Sequence, residues 1–444
     1  MEQSVTVELL REFKEDFAAD RANRAAMAAV TNGGIQEGMK NQEVFRKNIH
    51  TFSLTLDQGK VTSQKQSGRC WMFAAMNVLR FHLIHSLNLE DFELSQNYTL
   101  FYDKLEKSNH FLENILDTLD EPADGRVVSW ILTSPLGDGG QWDMICSLIQ
   151  KYGVVPKYAM PETHVSSMTK EMNGYLTEKL RGFACELRKR HAEGWDREKL
   201  QTEKAKMLKD IYRMLCICLG EPPLVFDFEV RGKDGAFHRD LGLTPQDFYK
   251  KYIGVDLDDY VSLIHAPTKD KPFHKSYTVQ YLGNVVEGRQ VRYLNLPIEE
   301  LKRAAIAQLK DGNPVWFGCD VGKRSSREGG VMDLDVYRLE DMFGTAFPMT
   351  KAERLDYKQS KMTHAMVFVG VNLREDGTPN RWRVENSWGD DKGEKGFFVM
   401  DDAWFDEYMY QVVVHKKYLT EEEQKEYAQS PAILEPWDPM GSLA

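Results

Sequence analysis

A thiol at Cys70 stands between a glycine-containing turn, Gln64-Lys65-Gln66-Ser67-Gly68-Arg69, and an apolar run that begins Trp71-Met72-Phe73-Ala74-Ala75. The run continues through Met76, Val78, Leu79, Phe81, Leu83 and Ile84. Residues apolar on nearly every face predict a buried central helix. Cys70 then falls in its first turn, where unpaired N–H groups and the macrodipole favour an anion. The expectation is a thiol of lowered pKa, and the thiolate is the nucleophilic form. Gln64 lies on the loop leading in. Its side-chain amide can donate to the oxygen of a carbonyl under attack, with the Cys70 backbone N–H as the second donor. A cysteine alone is more often an inert core residue, so a base and an orienting group must be found elsewhere.

Both are present. Lys361 to Val371 reads as a buried, β-branched strand with His364 near its start. Turn residues follow from Arg374 to Asn380, then a second strand from Arg381 to Gly389, a hairpin signal. Pairing His364 opposite Asn386 centres the hairpin inside that turn. The Asn386 amide oxygen would accept the imidazole N–H, leave the other ring nitrogen for the thiol, and be covered from water by Trp388. A lone strand histidine is more often a satisfied core residue. Here three separate segments supply nucleophile, base and orienting group together.

The constellation Gln64-x5-Cys70-Trp71, Thr363-His364-Ala365 and Asn386-Ser387-Trp388-Gly389 resembles the papain-like cysteine peptidases. The variant Ser67-Gly68-Arg69-Cys70-Trp71-Met72-Phe73-Ala74, the chain length and the ending Trp437 to Ala444 are similar to the branch of bleomycin hydrolase and bacterial aminopeptidase C. The likeness spans essentially the whole chain. It implies a papain-like α+β fold of two lobes, helical on the left and antiparallel and barrel-like on the right, with a helical insertion and arms at both ends. It implies that Gly139 and Gly140 line the cleft, with Trp388, and that the Ala444 carboxylate enters it. It also implies a hook-like subunit contact by the N-terminal arm and a homohexamer with active sites facing an inner channel. Secreted papains carry a disulfide whose two positions correspond to Ser67 and Gly137 here. Both halves are absent together, as a reducing compartment favours.

The sequence has 444 residues, enough for a large core or several subdomains. Its net charge of −11, with no long basic block, argues against nucleic acid or an anionic membrane as partner. The cysteines at 70, 146, 185, 216, 218 and 319 follow no disulfide framework, and Cys216-x-Cys218 lacks a second pair for a metal. No signal peptide, transmembrane run or prosegment is apparent, so the expectation is a cytoplasmic protein made in active form.

Stepping along the chain gives five segments: residues 1–50 an N-terminal helical arm, 51–165 a left lobe with the nucleophile helix, 166–285 a mainly helical insertion, 286–418 a right lobe with the His/Asn hairpin, and 419–444 a C-terminal helix and arm. Residues 4–30 read as one helix capped by Ser4, with Val7, Leu10, Phe13 and Phe17 at helical spacing. Leu176, Leu180, Phe183 and Leu187 set the same period in the insertion. The stretch 231–280 reads as loop-rich, with a helix near Pro245. Pro431, Pro436 and Pro439 favour an extended tail.

The chemistry that fits is acyl transfer from a peptide with a free N-terminus, needing no metal or organic cofactor. Two alternatives are a transglutaminase-like enzyme, whose third residue is usually Asp, and a non-catalytic papain-like scaffold. Asn386 speaks against the first and the intact set of Gln64, Cys70, His364 and Asn386 against the second.

Overall fold

The computed structural model describes residues 4–443. The apolar run forms the helix Cys70–Ser86, buried on almost every face. The helices Gln96–Asp117 and Trp142–Tyr152 pack against it, and Lys170–Ala192 and Arg197–Leu219 pack on Gln96–Asp117. In the last two, Leu176, Leu180 and Leu187 face Met207, Ile211 and Leu215 in the same buried cluster, and their charged faces meet water. Amphipathic patterning thus turns a charged stretch into a further layer over the helix Gln96–Asp117.

The large sheet runs Ala432–Leu434, Lys275–Val279, Tyr293–Asn295, Tyr260–Ile264, Met409–His415, Val315–Cys319, His364–Leu373, Pro379–Glu385, Phe397–Asp401, Val331–Met332 and Ser325–Ser326, with Leu54–Thr55 added beside His364–Leu373. One face packs on the nucleophile helix. The other buries Leu301, Ala304 and Leu309 of the helix Ile298–Lys310 against Phe317, Phe368 and Trp382. The Phe317 and Phe368 rings stack at 3.9 Å.

Several expectations need correction. The sheet is mixed rather than purely antiparallel, because three of its pairs are parallel: Phe397–Asp401 with Val331–Met332, Ala432–Leu434 with Lys275–Val279, and Tyr260–Ile264 with Tyr293–Asn295. The stretch expected to be loop-rich holds the strand Phe237–Leu243, which pairs with Phe226–Arg231, and two of the large sheet's strands. Those two strands pair across residue 285, so a boundary there falls within a sheet. The N-terminal helix is two, Val7–Ala19 and Arg21–Gly33. Thr6, not Ser4, caps the first. Asp20 breaks the chain by taking extended backbone and accepting from the Ala22 N–H, which starts the second.

The tail is not extended throughout. After the helix Glu421–Ala428 it adds the strand Ala432–Leu434 and turns at Pro439–Gly441. Asp438 pairs with buried Lys271 at 2.8 Å, Met440 is buried, and Arg126 lies 3.6 Å from the centre of the Trp437 ring.

Candidate active site

Cys70 is the first residue of its helix, so its N–H has no carbonyl one turn back to bond. Its side chain is buried, and here the expected lowering of the thiol pKa fails. Burial pushes the thiol up to about 11, against N–H groups of Ala365, Trp71 and Cys70 itself that favour the thiolate. A charged sulfur in this site therefore needs a counter-charge made at the same moment. Ala365 is the neighbour of His364, which brings the histidine strand up to the sulfur.

His364 Nε2–H donates to Asn386 Oδ1 at 2.9 Å. That oxygen also accepts from the Ser387 N–H at 2.8 Å, which fixes the amide's orientation. The tautomer follows, with Nδ1 left as the basic nitrogen. Trp388 lies over the imidazole with ring centres 4.8 Å apart. Burial pushes the His364 pKa down to about 4, opposed by the Asn386 hydrogen bond and reinforced by Arg327. Burial thus favours the neutral form of both thiol and imidazole.

The register differs from the expectation. Val367 pairs with Glu385 and Phe368 with Val384, and a bulge follows before Gly370. His364 lies opposite Cys319 on its other flank. Asn386 comes one residue past the end of its strand and reaches His364 diagonally.

Gln64 is pinned between both halves. Its N–H donates to the Ser387 carbonyl at 2.8 Å, and its Oε1 accepts from the Ser387 hydroxyl at 2.6 Å. Its Nε2 donates one hydrogen to the Ser67 carbonyl at 2.6 Å. An amide nitrogen has a second hydrogen, and that one remains for an oxyanion.

The loop before Cys70 is locked by polar groups that sequence reasoning missed. Arg69 donates to both carboxylate oxygens of Glu162, at 2.9 and 2.8 Å, and through Nε to the Ser67 hydroxyl at 2.8 Å. Asp138 accepts from the Gly68 N–H at 2.9 Å, from Lys104 at 2.6 Å, from Asn173 at 2.7 Å and from the Thr169 hydroxyl. Burial alone would raise this carboxyl, but the Lys104 charge and these hydrogen bonds hold it well below the usual carboxylate range. Charged residues among apolar neighbours, Lys104 and Arg80 above all, were the available signal, because a buried charge must be paired.

Gly140 is buried, and a Cβ there would come within 2.5 Å of the Trp71 indole. Its missing side chain lets the glycine-rich loop close on the residue after the nucleophile. The Trp71 indole N–H donates to the Asp138 carbonyl at 2.7 Å, and Lys107 donates to the Gly139 carbonyl at 2.6 Å. The tail reaches the same region. Gln141 Nε2 donates to the Ser442 carbonyl at 2.6 Å, and the Ser442 hydroxyl to the Met362 carbonyl at 2.7 Å, two residues before His364. Ala444 lies outside the described residues. Among the described residues no group of three or more His, Cys, Asp or Glu is arranged to hold a metal.

Comparison with known proteins gives a consistent result. The model of the Peptidase C1-like family matches residues 4–441. Aminopeptidase C of Listeria monocytogenes is 51% identical over 444 residues, covering 100% of both chains. Aminopeptidase C of Streptococcus thermophilus is 48% identical over 99% of both. The crystal structure of PepW from Lactobacillus rhamnosis superposes with a TM-score of 0.98 at 53% identity, covering 100% of both chains.

Proposed function

The chain belongs to the Peptidase C1-like family, and on that premise we propose that Cys70, His364, Asn386 and Gln64 carry out the hydrolysis of a peptide's first bond. The protein is a cysteine-type aminopeptidase. His364 Nδ1 takes the Cys70 proton as the sulfur attacks the carbonyl carbon, so cation and anion form together in the dry site. Gln64 Nε2–H and the Cys70 N–H hold the resulting oxyanion. The C–N bond breaks as His364 returns its proton to the leaving amine. Water, deprotonated by His364, then cleaves the thioester and regenerates the thiol. Asn386 holds the imidazole throughout, and the 2.9 Å bond between them is the observation that carries the mechanism.

Exopeptidase specificity comes from the tail. Its anchoring through Ser442 to Gln141 and Met362 supports a tail lying on the acyl side of the cleft. Ala444, two residues on, presents its carboxylate to the substrate's free amine. Gly139 and Gly140 line the same side, and Trp388 the leaving side.

The enzyme works as a bleomycin hydrolase-like homohexamer in the cytoplasm. Subunit docking by the arm is supported by the apolar stripe Leu10, Phe13 and Phe17, each roughly half exposed, on helices with no buried residue. A reducing compartment is consistent with six unpaired cysteines. Reaction with an epoxide or iodoacetamide tests the mechanism. Loss of peptide cleavage that tracks the Cys70 adduct, and not any adduct on exposed Cys185, is the expected result. Full activity after complete Cys70 modification would remove the thiol from the chemistry.

A further inference from the structure

Beside the site, away from the tail, lies a cavity of about 950 Å³. Its walls are two loops, residues 59–65 and 388–397, joined through the Ser63–Trp388 bridge, with Arg327 across them. The lining carries Lys60, Lys65, Arg327, Lys392 and Lys395 against Asp390 and Asp391. In a chain of net charge −11 this is a locally positive pocket. Lys392 pairs with Glu328 and Asp391. Among the described residues the other four cations form no ion pair. Arg327 is the best placed of them. Its guanidinium sits 4.3 Å from the centre of the Trp388 ring, which in turn covers His364 at 4.8 Å. An Arg held on an indole keeps its donors free and its side chain ordered.

The direction of the substrate follows from the mechanism proposed above, on which this inference rests. His364 protonates the leaving amine, so the peptide beyond the scissile bond departs past His364 and Trp388. The two ring separations place the guanidinium within about 9 Å of the imidazole centre. An extended peptide advances roughly 3.3–3.6 Å per residue. The Arg327 guanidinium therefore meets the second or third residue after the cut.

We propose that this pocket recognises a carboxylate on the leaving segment, and that Arg327 with Lys395 gives the enzyme a preference for short peptides ending there or for an acidic side chain there. Both sources present the same group at the same reach. The remaining cations draw such substrates in over a longer range. The effect is specificity within an aminopeptidase, set on the side opposite the amine.

The test uses the full-length enzyme in its native assembly and four substrates sharing one N-terminal residue: a tripeptide free acid, its C-terminal amide, and two amides with Glu or Gln at the third position. At low salt kcat/KM for the free acid should exceed that for the amide about three- to tenfold, and the Glu amide should exceed the Gln amide similarly. Both ratios should shrink towards one in 0.5 M salt. Measured within the variant Arg327→Gln/Lys395→Gln, they should also approach one, and a ratio taken within one protein is insensitive to how much of it is folded. A preference for the acid alone assigns the pocket to the chain terminus, and a preference for Glu alone to a side chain; either supports it. Equal rates on all four in the wild type, or ratios unchanged in the double variant, overturn the proposal and leave the aminopeptidase reading standing. No cleavage of any of the four would instead remove that reading.

Discussion

Arg80, in the middle of the nucleophile helix, donates to Glu385 at 2.7 Å, one residue before Asn386, and both side chains are almost completely buried. Arg80 also donates to the Lys60 carbonyl at 2.6 Å and the Phe92 carbonyl at 3.2 Å. The helix that carries the thiol is thereby tied to the strand that ends at the orienting amide.

Removing one member of this pair leaves a buried charge. Arg80→Met should cost about 3–5 kcal/mol in chemical denaturation. Burial already raises the Glu385 pKa even with Arg80 present. Without Arg80 the folded state binds a proton there more tightly than the unfolded chain does. The deficit should accordingly shrink as pH falls through the raised Glu385 pKa and grow as pH rises above it. A deficit independent of pH would show that Glu385 is not the group left exposed to the loss.

The Asp138 lock predicts the opposite sign. Its folded pKa is depressed, so its contribution is present above the unfolded value of about 3.9 and lost as pH falls through that value and below. Asp138→Asn should lower stability near neutrality and flatten the acid limb of the stability curve. It also weakens the acceptor of the Gly68 N–H, two residues before the nucleophile. kcat should drop in the folded fraction, because Asp138 holds the loop that leads to the proposed oxyanion donors. A variant with wild-type kcat would confine Asp138 to stability.

In the proposed mechanism thiol and imidazole act as a pair that holds one proton between them. Burial pushes Cys70 up to about 11 and His364 down to about 4, which sets the alkaline and acid limbs. A second proton, gained on the acid side, removes the base. Loss of the last proton, on the alkaline side, removes the acid that serves the leaving amine. kcat/KM therefore rises through the acid limb and falls through the alkaline one. On free-amine peptides the alkaline fall comes earlier, near the amine's own titration at about 8. Iodoacetamide inactivation should show a plateau at intermediate pH and a second rise towards high pH. A single rise near about 8.5 with no plateau is the signature of an ordinary exposed thiol.

Two substitutions separate the proposed oxyanion role of Gln64 from its anchoring. Gln64→Ala removes the proposed donor and should lower kcat by about 10²- to 10³-fold. Ser387→Ala removes only the hydrogen bond that holds the Gln64 carbonyl oxygen, and should cost less than a tenth as much in rate. Equal losses would mean that the hydroxyl, rather than the amide, is what matters.

The residues proposed to do chemistry were legible because their sequence environments are extreme. A helix apolar on every face can only be central, and the hairpin announces itself by turn residues between β-branched runs. The His364–Asn386 pairing was legible in outcome but not in register. The irregularity between Phe368 and Gly370 adds a residue that alternation cannot count. Strands such as Lys275–Val279 were illegible because their partners are remote in sequence, one of them in the tail. The polar lock was hidden for a related reason: Asp138, Lys104 and the Thr169/Asn173 pair lie on three segments remote from one another in sequence.

The central claim is that the end of the chain turns a papain-like cleft into an aminopeptidase. The direct measurement deletes Gly441 to Ala444 and follows one peptide in free and N-acetylated forms, with product masses reporting where it is cut. The intact enzyme should remove the first residue of the free peptide and leave the acetylated one untouched. The truncated enzyme should lose most of that activity and cut the acetylated peptide internally. If truncation leaves the requirement for a free amine as strict as before, the tail is not what reads the N-terminus.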